Sequence, residues 1–95
     1  MNAKPLDSHD RVVLSRHADL KRRSQGDVLV LPERAIALAG SGSEILLLCD
    51  GERTLADVAR ALDERYPGTE GLASEVHRFL TEMRDLGGVI EAPSP

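Results

Sequence analysis

The stretch from Ser41 to Tyr66, SGSEILLLCDGERTLADVARALDERY, sets the tightest limit on what this chain can fold into. Ile45-Leu46-Leu47-Leu48 is too apolar to leave in water and reads as a short buried helix. Leu55, Val58, Ala59, Leu62 and Tyr66 follow at spacings of three and four, the stripe of an amphipathic helix. Arg60, Asp63, Glu64 and Arg65 fall on its outer face. Each helix opens with its own start signal. Ser41-x-x-Glu44 and Thr54-x-x-Asp57 put a hydroxyl at the N-cap. The acid three residues on can return a hydrogen bond or face the positive end of the helix dipole. Asp50-Gly51 reads as a tight turn, Gly51 supplying the backbone freedom to leave the first helix. Helices joined this tightly cross, as in a helix-turn-helix unit.

Upstream, the periodicity shortens to that of strands. Leu20 to Arg23 reads as an exposed strand, Gln25-Gly26-Asp27 as a turn, and Val28-Leu29-Val30-Leu31 as a β-branched apolar strand. After Pro32-Glu33-Arg34, the segment Ala35-Ile36-Ala37-Leu38-Ala39 alternates small with large. Ile36 and Leu38 then face the core and the alanines face away. Such short connections make antiparallel neighbours, hence a three-stranded meander. Downstream, Leu72, Val76, Phe79, Leu80, Met83 and Leu86 form the stripe of a last helix that Gly87-Gly88 stops. Residues 1–15 read as a flexible N-terminal arm, 16–90 as one domain, and 91–95 as a frayed tail. Val89-Ile90 packs back as a short extended piece.

Composition then removes function classes. Tyr66 and Phe79 are the chain's two aromatics. Its core must therefore be aliphatic, and stacking of bases on rings is not available. Net charge is −4, with seven Lys/Arg against five Asp/Glu up to residue 43 and five against eleven beyond it. An acidic helical half lacks the footprint of a phosphate binder. The single cysteine, Cys49, excludes an internal disulfide and lies in the leucine run as a small buried hydrophobe. His9, His17 and His77 have no metal-ligand spacing. There is no membrane-spanning stretch and no signal-peptide core, so the expected compartment is the cytoplasm. No nucleophilic triad or phosphate loop is present: Gly40-Ser41-Gly42-Ser43 is not followed by a lysine and reads as linker plus N-cap.

One feature points to a partner. Natural sheets blunt their edges with charge or proline. The 35–39 strand has neither, and its alanines leave the backbone uncovered. An extended peptide can add there as a further strand, with the last helix as the other wall of a groove. Residues 1–14 or a second copy of the chain are the rival covers for the same edge.

Taken together the segments resemble the PqqD family, the peptide-binding proteins of pyrroloquinoline quinone (PQQ) biosynthesis. The resemblance spans about residues 16–90. It is carried by Leu29-Val30-Leu31-Pro32-Glu33, Ile36-Ala37-Leu38, the run from Ser41 through Cys49-Asp50-Gly51-Glu52-Arg53-Thr54-Leu55, and Val76-His77-Arg78-Phe79-Leu80. Leu38-Ala39 stands where the family often has Leu-Asn, and Leu31 where an aromatic is common. The resemblance implies an α+β fold similar to a winged helix-turn-helix, a three-stranded antiparallel meander followed by three helices. It implies a non-catalytic chaperone, without cofactor, that binds the precursor peptide PqqA and presents it to the radical SAM enzyme PqqE. In relatives of this fold the leader peptide lies as an extra strand against the third strand, in a groove closed by the third helix. Carried over by position, Arg34, Ala35, Ile36, Ala37, Leu38 and Ala39 would offer backbone groups, and Glu75, Arg78, Phe79 and Glu82 would line the opposite wall. Neither nucleic acid nor membrane is an expected partner, and the chain is expected as a monomer or a weak or swapped homodimer. The alternative is a winged-helix nucleic-acid regulator. Its last helix would then have to enter the major groove despite Glu70, Glu75, Glu82 and Asp85.

Overall fold

Val28-Leu29-Val30 nucleates a sheet from local chain alone. In a computed structural model describing residues 4–92, β2 (Asp19–Lys21), β3 (Val28–Val30) and β4 (Ala35–Ala37) form an antiparallel meander in that order. Leu20 and Ile36 lie directly opposite Leu29, which is fully buried. The meander expected from the turn signals is present, with each strand shorter than the segment expected for it.

A second sheet was not expected. β1 (Arg11–Leu14) is its central strand, flanked by β5 (Asp50–Thr54) and β6 (Val89–Glu91), both antiparallel. This corrects two readings. The end of the supposed arm is a strand, because Val12 is buried at 1% exposure and its neighbours on both sides supply ladder partners. The chain ahead of it is also seated: Leu6 is buried, and its N–H donates to Thr81 Oγ1 at 3.3 Å. The Asp-Gly turn between the first two helices is likewise part of a strand, since β1 offers it an edge. Glu91 belongs to β6, and the Ala92 N–H donates to the Arg11 carbonyl at 2.8 Å. Residues 93–95 of the expected tail lie outside the described residues. Among the described residues the fold is therefore α+β with three helices, and it has six strands rather than three.

The three helices are α1 (Gly42–Leu48), α2 (Leu55–Arg65) and α3 (Leu72–Leu86). Their buried stripes meet the sheets in one aliphatic core that includes Val12, Leu29, Ile45, Leu46, Leu55, Val58, Leu62, Val76, Leu80 and Val89. The capping box of α2 forms in both directions, with Asp57 N–H on Thr54 Oγ1 at 3.1 Å and Thr54 N–H on Asp57 Oδ2 at 3.0 Å. Asp reaches as well as Glu here. The box expected at α1 does not form. Ser41 has ψ near 15° rather than an extended backbone, so its hydroxyl is not aimed at the helix. Glu44 instead crosses to the end of α2, accepting from the Tyr66 hydroxyl at 2.6 Å and from Arg65 at 3.0 Å. Tyr66, expected in the core stripe, is 43% exposed and ends α2.

Cys49 is buried, its thiol donating to the Ile45 carbonyl, and burial pushes that thiol up to about 12. α3 stops at Gly87 in the left-handed region, where the Gly87 and Gly88 N–H groups satisfy the Arg84 and Met83 carbonyls. Gly88 is also a close-approach point: a Cβ there would stand 2.8 Å from Leu29 Cδ2. The glycine pair thus lets β3 lie against the end of α3.

Candidate functional site

The alternation of an antiparallel ladder decides which backbone groups of β4 are free. Leu31 and Arg34 exchange both bonds, at 2.8 and 3.4 Å, and the Leu38 N–H donates to the Asp27 carbonyl at 2.9 Å. Residues 34, 36 and 38 therefore turn their N–H and C=O toward β3. Ala35 and Ala37 turn theirs outward. Among the described residues β4 pairs with β3 alone, so these groups form an open edge. The rival cover by residues 1–14 does not hold for residues 4–14, since β1 is committed to β5 and β6.

The other edges are blunted. β2 carries the Lys21–Asp19 ion pair at 2.9 Å and runs on into Arg22-Arg23. On β5 the Asp50 carboxylate accepts from the Glu52 and Arg53 N–H groups, both at 2.9 Å, and Arg11 Nε donates to the Glu52 carbonyl. β6 is three residues long and ends on Glu91. Among the described residues only the alanine edge is without such protection.

The facing wall is one flank of α3. Leu72, Glu75, Phe79, Glu82 and Leu86 recur at spacings of three and four and share that flank. Phe79 fixes its distance from β4. A Cβ on Gly42 would stand 3.2 Å from Phe79 Cζ and 3.6 Å from Leu38 Cβ, so the ring rests on the bare start of α1 beside Leu38. At the other end, just past α3, Gly88 lies against Leu29, the residue opposite Ile36. α3 thus passes alongside β4 from Leu38 back toward Ile36.

The ten residues marked in the sequence divide as follows. Ala35, Ile36 and Ala37 are in β4, while Arg34 precedes it in the turn with Leu31. Leu38 is half-buried against the Phe79–Gly42 contact. The Ala39 carbonyl is used by the Gly42 N–H at 3.1 Å. Phe79, Glu75 and Glu82 lie on the α3 flank. Arg78 sits beside it, bonding Glu75 at 2.7 Å and Glu82 at 3.3 Å, and the Glu75 hydrogen bond holds its guanidinium further above the usual range. These three exposed side chains are paired with one another and together keep a net charge of −1.

Sequence reasoning missed Asp27, read only as part of a turn. Its carbonyl holds Leu38, and its carboxylate accepts from the buried Ser43 hydroxyl, from Arg22 Nε and from the Arg23 N–H. The Ser43 bond, with the Arg23 N–H, keeps that carboxyl below its usual value. One residue thereby ties the hairpin turn to the end of β4 and the start of α1. No short-range pattern announces a bond across sixteen residues.

Among the described residues no group of three or more His, Cys, Asp or Glu could hold a metal, and no helix is long and apolar enough to cross a membrane. The arrangement offers a main-chain edge and a half-apolar wall, chemistry for holding an extended chain.

Comparison with known proteins gives the family and the fold. The family described as coenzyme PQQ synthesis protein D (PqqD) matches residues 27–89. A "PqqA binding protein" of Bradyrhizobium diazoefficiens is 38% identical over 85 residues, covering 86% of this chain and 82% of that one. One of Rhodopseudomonas palustris is 39% identical over 85 residues, covering 86% and 83%. The solution structure of the PqqD truncation of Methylobacterium extorquens PqqCD, described as a stand-alone RiPP recognition element, shares the fold. Its TM-score is 0.77 at 22% identity, covering 90% of this chain and 94% of that one. With a family match from Asp27, in the first turn of the meander, to Val89, at the start of the last strand, this chain belongs to the PqqD family.

Proposed function

We propose that this protein is a non-catalytic peptide chaperone of PQQ biosynthesis, which binds PqqA as an added strand on β4 and presents it to the radical SAM enzyme PqqE in the cytoplasm. The observation that carries the reading is the open edge at Ala35 and Ala37, among the described residues the one edge without charge or side-chain caps. Main-chain bonds to that edge supply affinity without demanding a particular sequence, and the α3 flank supplies selectivity. The names of the relatives support PqqA as the occupant. The nucleic-acid alternative has no observation in its favour: on α3, Arg78 and Arg84 are both engaged by carboxylates, which leaves acid to meet phosphate.

Titration of isotope-labelled protein with PqqA tests the binding step. Amide shifts should gather at Ala35, Ala37, Phe79, Glu82 and Leu86. Shifts confined to residues 4–14 would contradict it. The presentation step predicts that PqqE sediments with the chain when PqqA is loaded; failure of the loaded chain to associate would remove PqqE from the account. Light scattering over a dilution series separates a monomer from a weak or swapped dimer.

A further inference from the structure

The added strand has little ladder to use. Ala35 and Ala37 supply the outward groups, and beyond them the Ala39 carbonyl is already taken by Gly42 as the chain turns into α1. A cavity of about 350 Å³ opens where the ladder stops, lined by Gly40, Ser41, Glu44, Tyr66, Thr69 and Leu72. It continues the groove, because Gly40 and Ser41 follow β4 after Leu38 and Ala39, and Leu72 lies two turns along the same α3 flank from Phe79.

Its chemistry selects against charge. Glu44 accepts from the Tyr66 hydroxyl and is paired with Arg65 at 3.0 Å, so the one carboxylate at the rim already has its charge balanced within the chain. That same network holds the Tyr66 side chain in place on an otherwise exposed surface. Leu72 provides an apolar wall. The size suits one large side chain and no more than a short turn of peptide.

Resting on the strand-addition reading, we propose that this cavity is a side-chain subsite taking one aliphatic or aromatic residue of the bound peptide, just past its strand-paired segment. The subsite sets register. A strand held by two alanines can slip by two residues without losing its backbone bonds, whereas a side chain seated in the cavity cannot.

The test combines two variants with a peptide series. Thr69→Trp, at an exposed loop position, fills the cavity, and Ala37→Pro removes an edge donor. Each is titrated by calorimetry with PqqA and with PqqA carrying single alanine replacements at its apolar positions. Thr69→Trp should weaken PqqA by about ten- to a hundred-fold, the value of burying one large apolar side chain. One alanine peptide should be weakened to the same degree and lose nothing further on Thr69→Trp. If Thr69→Trp leaves every affinity unchanged while Ala37→Pro weakens them all, the subsite is wrong and strand addition stands. If Ala37→Pro also has no effect, the strand-addition reading fails with it. Coupling of Thr69→Trp to a Lys or Arg of the peptide, tested with alanine at those positions too, would overturn the apolar assignment.

Discussion

The two three-stranded sheets have the same number of strands and are built in opposite ways. The sheet centred on β1 is assembled from distant parts of the chain, and backbone groups on its β5 edge are claimed by Asp50 and Arg11. The β2–β3–β4 sheet is built from two local hairpins and leaves Ala35-Ile36-Ala37 bare. The first closes the fold by joining the N-terminal strand to the chain after α3. The second is held at one side, by Asp27 and by Leu29 against Gly88, and remains open at the other. A sheet that stores stability can spend its edges on itself. One that receives a peptide has to leave an edge unsatisfied, and alanine is the side chain that obstructs it least while still favouring an ordered strand over glycine.

The sharpest way to break this contrast is to damage the closing sheet. Val12→Asp puts an unpaired carboxylate at a position of 1% exposure and should cost more than about 4 kcal/mol. Thermal melting should show the variant largely unfolded; a mobile arm would tolerate the change. On the open sheet, neighbouring prolines should separate. Ala37→Pro removes an outward donor, so it should weaken PqqA binding by about ten- to a hundred-fold with little change in melting temperature. Ile36→Pro removes a donor used by β3 and should lower the melting temperature itself. Equal behaviour of the two would mean the assigned alternation is wrong.

Smaller effects sharpen the comparison. Thr54 ends β5 and caps α2, and Thr54→Ala should cost about 1 kcal/mol in a denaturant titration, without changing peptide affinity. Acid should loosen both sheets together. Asp27 is lowered chiefly by the Ser43 hydroxyl, Asp50 by the Arg53 N–H, Asp57 by the Thr54 N–H and Glu44 by the Tyr66 hydroxyl. Carboxyls lowered in the folded state bind protons less readily than the unfolded chain does. Their contribution is complete above the ordinary values of 3.8 and 4.5 and drains away as pH falls through the lowered ones. Denaturant midpoints should therefore hold level from about pH 7 to 5 and fall below about pH 4. Arg78→Ala comes last. Its pairs are exposed, so melting should not move measurably, while the groove wall becomes more acidic.

The same contrast explains what could be read from the residues. The local sheet was legible because Gln25-Gly26-Asp27 and Pro32-Glu33-Arg34 punctuate apolar runs within hairpin reach. The distant sheet was not. Val12-Val13-Leu14 is too short to identify itself, and Asp50-Gly51-Glu52-Arg53-Thr54 carries turn and charged residues that become a strand only when β1 lies beside it. At the site, the bare alanine edge and the α3 residues Glu75, Phe79 and Glu82 could be named from pattern and family resemblance. Which alanine groups face outward could not, because that depends on the register with β3. Leu72 and Leu86 were assigned to the core stripe, yet Leu86 is 38% exposed at the end of the flank facing β4.

Amide hydrogen exchange across β4 tests the central claim most directly. In the free protein the Ile36 and Leu38 amides should exchange slowly, being bonded to β3, and those of Ala35 and Ala37 should exchange fast. Saturating PqqA should slow Ala35 and Ala37 and leave Ile36 and Leu38 as they were. Fast exchange at Ala35 and Ala37 in the saturated complex would contradict strand addition on this edge.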